Sequence, residues 1–236
     1  MSGHSKWATT KRKKFAVDAK RSSVFTKLAN NVTVAARHGG GDPEMNFRLR
    51  LAIERAKAAS MPKENIERAI KRGLGELDGQ QLEEVIYEGY GPGQVAVLVE
   101  CLTDNRNRTH GEIKKIFENF GGTLAGQGAV MWQFEKKGVI IINNQNLSEE
   151  IELKIIDAGA DDFVSNENEI TVYTKPEDLQ RVKEKLEHEK FHIESAALEY
   201  VAKEKIDLAE PQEETLVKFI EELEGQNEVN EYYLNN

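Results

Sequence analysis

A single cysteine, Cys101, stands in a chain of 236 residues. One thiol cannot close an internal disulfide, and it excludes a cysteine-rich zinc site. It sits in an apolar strand pattern with no histidine near it in sequence, so it reads as a buried structural thiol rather than a nucleophile. Long apolar runs are also missing. The best, GVIII at 138–142, is strand-sized and far short of a bilayer span. The first residues hold no apolar h-region, so no secretory signal is expected and the basic start reads as mature protein. The expected compartment is the cytoplasm, without a membrane partner.

Catalytic signatures are scarce as well. No serine sits in G-x-S-x-G, and no acidic pair stands out from the many solvated carboxylates. His188-Glu189-Lys190-Phe191-His192 matches H-E-x-x-H, but a zincin needs both histidines on one continuous helical face and a third ligand. Here the helix pattern ends and Phe191-His192-Ile193 leads into a strand, so a polar helix end is the expectation. Gly89-Tyr90-Gly91-Pro92-Gly93 looks like a phosphate loop. It precedes a strand, however, lacks a following Gly-Lys-Ser/Thr, and loses one donor to Pro92. The expectation is no enzyme, no metal and no cofactor.

What the chain has in quantity is charge, unevenly divided. Residues 1–75 hold 17 Lys/Arg and 6 Asp/Glu, whereas residues 76–236 hold 15 and 35. The balances are +11 and −20, which together give the net −9. Such asymmetry points to a basic partner-binding module on an acidic body. With 39% apolar residues the chain can build real cores, and its length suits two or three small domains.

Periodicity divides the chain accordingly. Residues 1–78 read as a basic all-helical domain. One helix carries Phe25, Leu28, Val32 and Ala35 after a Ser23 cap. A second follows GGG, with Asp42 capping, Pro43 at the first position and a stripe of Met45, Leu49, Ala52 or Ile53, and Ala56. A third starts at Met61-Pro62, carries Ile66, Ala69 and Ile70, and ends at Gly73. EEVIYEGY and VAVLVECLTD then read as strands, RNRTHGEIKKIFENFGG as a helix with Ile113, Ile116, Phe117 and Phe120 inward, and AVMWQFE as a strand. The glycines of GGTLAGQGAV read as turn and bulge residues.

From 137 to 203 the order is βαββαβ, the ferredoxin-like split unit. The tail adds a helix with Leu216, Ile220 and Leu223 and a last strand, EVNEYYL. The expected fold class is therefore multidomain α and α+β: a small helical bundle plus two ferredoxin-like sandwich domains, the third inserted in the second. The middle domain would comprise residues 79–136 plus 204–236, and the insertion residues 137–203.

The amino-terminal block carries the strongest functional signal. Lys6, Lys11, Arg12, Lys13, Lys14, Lys20, Arg21 and Lys27 fall within 22 residues, opposed only by Asp18. The third helix adds Arg68, Lys71 and Arg72, and the second adds Arg48, Arg50, Arg55 and Lys57. Many cations are what a polyanion site needs, because each neutralised phosphate releases counterions and adds sequence-independent affinity. His4, Trp7 and Phe15 are placed either to stack on exposed bases or to anchor the chain to the bundle. A lesser candidate is Asp104-Asn105-Arg106-Asn107-Arg108-Thr109, where a strand hands over to a helix. Free backbone donors there, with Asn105, Arg106 and Arg108, suit an anion or RNA contact, or else helix capping with ion pairs.

Four blocks carry a family resemblance: GHSKWATTKRKKFAVDAKRSSVFTKL, ARHGGGDPEMNFRLRLAIERAKAASMPKENIERAIKRG, YEGYGPGQVAVLVECLTDNRNRT and GGTLAGQGAVMWQFE. Together they closely resemble the YebC/PmpR family, which includes a mitochondrial translational activator of cytochrome oxidase. The resemblance implies one all-helical and two α+β domains in a cytoplasmic, non-enzymatic protein. It also implies a DNA-binding transcriptional regulator. Other members look like translation factors on ribosomes, including at proline-rich stalls. TTKRKKFAVDAK is more basic here than the family's commoner form, and the carboxyl tail diverges. Two partners are thus expected as alternatives, DNA or the rRNA of a ribosome, with the protein a monomer. The basic region lacks a recognisable helix-turn-helix, which favours RNA on physical grounds, whereas the family's customary description favours DNA.

Overall fold

The computed structural model describes residues 21–77, 81–143, 147–166 and 169–236, with side chains from residue 24 onward. The elements are helices α1 (Arg21–Gly39), α2 (Phe47–Ala58) and α3 (Lys63–Gly73), then strands β1 (Glu83–Tyr90) and β2 (Ala96–Thr103). Helix α4 (Arg106–Asn119), strand β3 (Thr123–Ala125), strand β4 (Phe134–Asn143), helix α5 (Glu149–Ala158), and strands β5 (Asp162–Asn166) and β6 (Glu169–Thr174) follow. Helix α6 (Leu179–His188), strand β7 (Ile193–Ala202), helix α7 (Glu210–Gly225) and strand β8 (Val229–Leu234) come last among the described residues. The described residues form a mixed α and α+β chain with two four-stranded sheets, β3-β1-β2-β8 and β5-β6-β4-β7. Residues 135–201 form one compact unit, and the described residues before and after them form the other.

The helical bundle packs a thin, Ala-rich core: Val32, Ala35 and Ala36 of α1, Leu49, Ala52 and Ala56 of α2, and Met61, Ile66 and Ala69 at α3. Its caps differ from the sequence reading. Ser23 lies inside α1, not at a cap. Asp42 and Pro43 form a turn instead of opening α2, because the Asp42 carboxylate accepts from the Glu44 N–H and its carbonyl from Asn46. Asn46 is the true cap. Its side chain accepts from the Leu49 N–H at 3.0 Å and donates to the carbonyls of Ala35 and Gly40, each at 2.8 Å. One buried amide thus closes the end of α1 and the start of α2. Met45, one turn too early for the stripe, is 84% exposed. Gly73 ends α3 as expected, but its role is contact: a Cβ there would lie 2.3 Å from the Thr33 carbonyl of α1.

In the first sheet β1 and β2 form a hairpin, β3 pairs antiparallel with β1, and β8 pairs antiparallel with β2. The tail therefore supplies an edge strand to this sheet. Helices α4 and α7 cover one face around Ile113, Ile116, Phe117, Leu216, Phe219, Ile220 and Leu223, all buried, with Phe117 and Phe219 edge to face at 5.0 Å. Strand β3, within GGTLAGQG, replaces the turn expected there. Met131–Gln133 is a single helical turn, so AVMWQFE is a strand only from Phe134 on. Helix α4 crosses from β2 over β1 to β3, yet β1 and β2 are joined directly. The first sheet thus departs from the βαββαβ connectivity of a ferredoxin-like sandwich.

In residues 135–201, α5 carries the chain from β4 over β6 to β5, and α6 carries it from β6 over β4 to β7. β4 is buried along Val139, Ile140, Ile141 and Ile142, and the helices contribute Ile155, Ala158, Leu179, Val182 and Leu186. Ser148 caps α5, and Gly159 ends it in the left-handed region at φ 99°.

Candidate nucleic-acid interface

His4, Lys6, Trp7, Lys11, Arg12, Lys13, Lys14 and Lys20 lie outside the described residues, as do Phe15 and the Arg21 side chain. The remaining cations divide into two sets. One set faces the first sheet. Along α1, Lys27, Asn31, Val34 and His38 recur at helical spacing, and three of them touch that sheet or its helix. Lys27 Nζ donates to the Glu224 carbonyl at 2.9 Å, Asn31 donates to Asn230 at 2.7 Å, and His38 Nε2 lies 3.3 Å from Glu84. Along α2, Arg48 pairs with both oxygens of Glu84, and Arg55 lies 3.6 Å from Glu231. Arg37 donates to the Leu82 carbonyl at 2.7 Å. Arg50 folds back on the carbonyls of Pro43 and Glu44. Arg50 apart, these cations join the bundle to the sheet, with Val34 and Leu51 buried on the same two helix faces. A count of charges could not reveal that use.

The other set faces solvent. Arg68 and Lys71 are exposed on α3 and share a shallow groove with Glu64, Glu67 and Leu77. Lys57 is exposed at the end of α2. Arg72 is half-buried, and its Nε is buried without a hydrogen-bond partner among the described residues.

At the start of α4, Asn105 is the cap, accepting from the Arg108 N–H at 3.1 Å. Arg106 pairs with Glu83, while Arg108 bridges Asp104 at 2.6 Å and Glu228 at 2.8 Å. Those hydrogen bonds, first to Asp104 and then to Glu228, raise the affinity of the Arg108 guanidinium for its proton. The three residues are gathered at one helix end, and in this conformation both guanidiniums face carboxylates of the same chain.

The enzymatic motifs come apart locally. His188 ends α6, Lys190 turns into the left-handed region at φ 66°, and Phe191 is buried. His192 lies beyond that turn, and its carbonyl accepts from the Asn143 N–H at 3.2 Å. The two histidines do not share a helical face. Among the described residues no group of three His, Cys, Asp or Glu is placed to hold a metal. The Gly91–Gly93 loop is a hairpin turn, in which Gly91 N–H donates to Val95 and Gln94 N–H donates back to Gly91. Gly93 sits at φ 70°, and a Cβ there would meet the Leu208 side chain at 2.6 Å, so the glycine serves a close approach within the turn. Burial pushes the Cys101 thiol up to about 12, which leaves it inert at neutral pH.

One polar centre escaped the sequence reading. Glu88 of β1 is only 3% exposed, and its carboxylate accepts from three backbone N–H groups. Gly128 donates to one oxygen at 2.6 Å, and Val130 and Met131 donate to the other at 2.9 and 2.8 Å. Burial alone would raise its pKa, but the three backbone donors together hold it below the ordinary carboxylate value.

These features define a modular α and α+β protein in which a basic helical bundle is docked on a sheet. The chain belongs to the TACO1/YebC family. Residues 5–76 match the family's description "TACO1/YebC protein N-terminal domain", and residues 82–236 match "TACO1/YebC second and third domain". Relatives named "Probable transcriptional regulatory protein" include one from Caldanaerobacter subterraneus subsp. tengcongensis, 49% identical over 100% of this chain and 98% of its own length. Another, from Persephonella marina, is 50% identical over 100% of this chain and 95% of its own length. A crystal structure of a conserved hypothetical protein from Aquifex aeolicus is similar with a TM-score of 0.85 and 46% identity, covering 93% of this chain and 91% of that one.

Proposed function

We propose that this chain is a non-enzymatic, nucleic-acid-binding regulator of gene expression, acting in the cytoplasm as a monomer. Its contact surface would be the basic amino-terminal segment together with the exposed face of α3. The observation that carries this reading is the charge division, +11 in residues 1–75 against −20 beyond them. Arg68 and Lys71 remain on solvent after the bundle has spent Arg48, Arg55 and Lys27 on its own sheet. The names of the full-length relatives add transcription, which makes DNA the first polyanion to test. We further take residues 137–203 as a domain inserted between the strands of the middle one, so that the acidic bodies act as spacer or protein contact.

Acidity over most of the remaining surface would limit nonspecific coating of duplexes. The test is binding to duplex DNA at rising salt, beside RNA of the same sequence. The expected result is an affinity that falls linearly on a log–log plot, roughly tenfold or more between 50 and 200 mM salt. No binding to either polymer at the lowest salt would overturn the reading. Preferential co-sedimentation with ribosomes would move the site of action from promoter to translation.

A further inference from the structure

Trp132 is 66% exposed. Tryptophan carries the largest apolar side chain, and solvent contact of this extent is unusual for it. The residue is also firmly held. Its indole N–H donates to the Ala129 carbonyl at 3.1 Å, which fixes the ring over its own turn. The turn is built by Ala129 N–H donating to Gly126 and Gln133 N–H donating to Val130. Glu88 anchors it from below through Gly128, Val130 and Met131. Lys203 holds it as well: its N–H donates to the Gln133 carbonyl at 2.9 Å, and its ammonium lies 2.8 Å from the Trp132 carbonyl. A buried carboxylate and the segment at Lys203 thus present one aromatic ring and one cation. The ring's exposure leaves it open to solvent on this turn.

We infer that Trp132 is a stacking platform for an unpaired base of a nucleic acid, with the Lys203 ammonium placed for the adjoining phosphate. A base needs a π face and a nearby cation, and every base has such a face. A protein hot spot instead needs a surrounding apolar shell that excludes water. The side chains hydrogen-bonded to this turn are polar: Glu88, Tyr90 and Lys203. The Lys203 ammonium has three donors and spends one on the carbonyl, so two remain for phosphate oxygens. Rigid presentation lowers the ordering cost of binding, which gives the costly burial of Glu88 a purpose. This inference rests on the proposed nucleic-acid binding and adds a second contact outside the basic segment, one that selects unpaired nucleotides.

The experiment uses the full chain and a fluorescent 12-nucleotide oligouridylate, with a duplex of equal length beside it. Trp132→Ala should weaken binding of the single strand about tenfold and leave the duplex unchanged, while Trp132→Phe should recover most of the loss. Tryptophan emission of the unaltered chain should be quenched as the single strand saturates, and Trp132→Phe should remove the part of that quenching due to Trp132. Single-strand affinity unchanged in Trp132→Ala, or an unquenched Trp132 at saturation, overturns this inference and leaves the ring for a protein contact. Failure of the unaltered chain to bind either polymer would remove the proposed function, and this inference with it.

Discussion

The Glu88 carboxylate receives the backbone N–H of Val130 at 2.9 Å, tying the middle of β1 to a turn 42 residues further on. Gly128 and Met131 complete the same cradle. A charge taken out of water costs several kcal/mol unless it is fully hydrogen-bonded, and here backbone donors supply the compensation. They also dictate where Trp132 stands.

Glu88→Gln should destabilise the protein by about 1–3 kcal/mol at neutral pH, because one partner now presents an amide to N–H groups that need acceptors. The sign with pH follows from the depressed pKa. The folded value lies below the unfolded one, so the Glu88 contribution is full above the ordinary carboxylate range. It is lost as pH falls through the folded value. Urea unfolding of both proteins at pH 7 and at pH 3 should show the gap closing in acid. A gap independent of pH would mean that the charge contributes nothing.

Gly73→Ala should loosen the bundle. The new methyl would stand 2.3 Å from the Thr33 carbonyl, which is backbone and cannot swing aside. Helix α3 must then move off α1, at about 1–3 kcal/mol. Thermal unfolding would show a lowered midpoint. Gly75→Ala, where the strain is only that of a φ of 76° and no atom is near, isolates the steric part.

Deleting residues 207–236 should unravel the first sheet. It removes β8 from the edge of β2 and takes Leu216, Phe219, Ile220 and Leu223 from the core, each worth about 1.5–3 kcal/mol of burial. The bundle should loosen at its seam too, since Lys27, Asn31 and Arg55 lose Glu224, Asn230 and Glu231. Hydrogen exchange should find residues 139–142 still protected while residues 96–102 exchange freely. Loss of protection in residues 139–142 would contradict this division.

Much of the architecture was legible because its signals are local. Alternation in VAVLVECL and the helical stripe Leu216-Ile220-Leu223 each act within a few positions. The failures have one physical cause, contacts that come from far away in sequence. Asp42-Pro43 reads as a helix start, yet Asn46 wins because its amide also reaches the Ala35 and Gly40 carbonyls of the preceding helix. Strand β3 is three residues long and exists because β1 offers it an edge.

Glu88 looked like one more solvated carboxylate among its neighbours, since alternation cannot say that a loop will cover it. The cations were countable, but their use was not. Arg48 and Arg55 resemble Arg68 and Lys71 in sequence, and only the docking surface separates a seam from a free face. The end of the helix at H-E-x-x-H, by contrast, was legible on local grounds. Phe191 and Ile193 signalled a strand, and the chain turns at Lys190.

The central claim is that the amino-terminal basic block provides the polyanion contact. Its most direct test is the salt dependence of DNA binding by a variant with Lys11, Arg12, Lys13 and Lys14 all changed to Glu. If those side chains neutralise phosphates, affinity should fall steeply and the log–log salt slope should flatten by roughly 3 to 4 units. An affinity and slope equal to those of the unaltered chain would contradict the account.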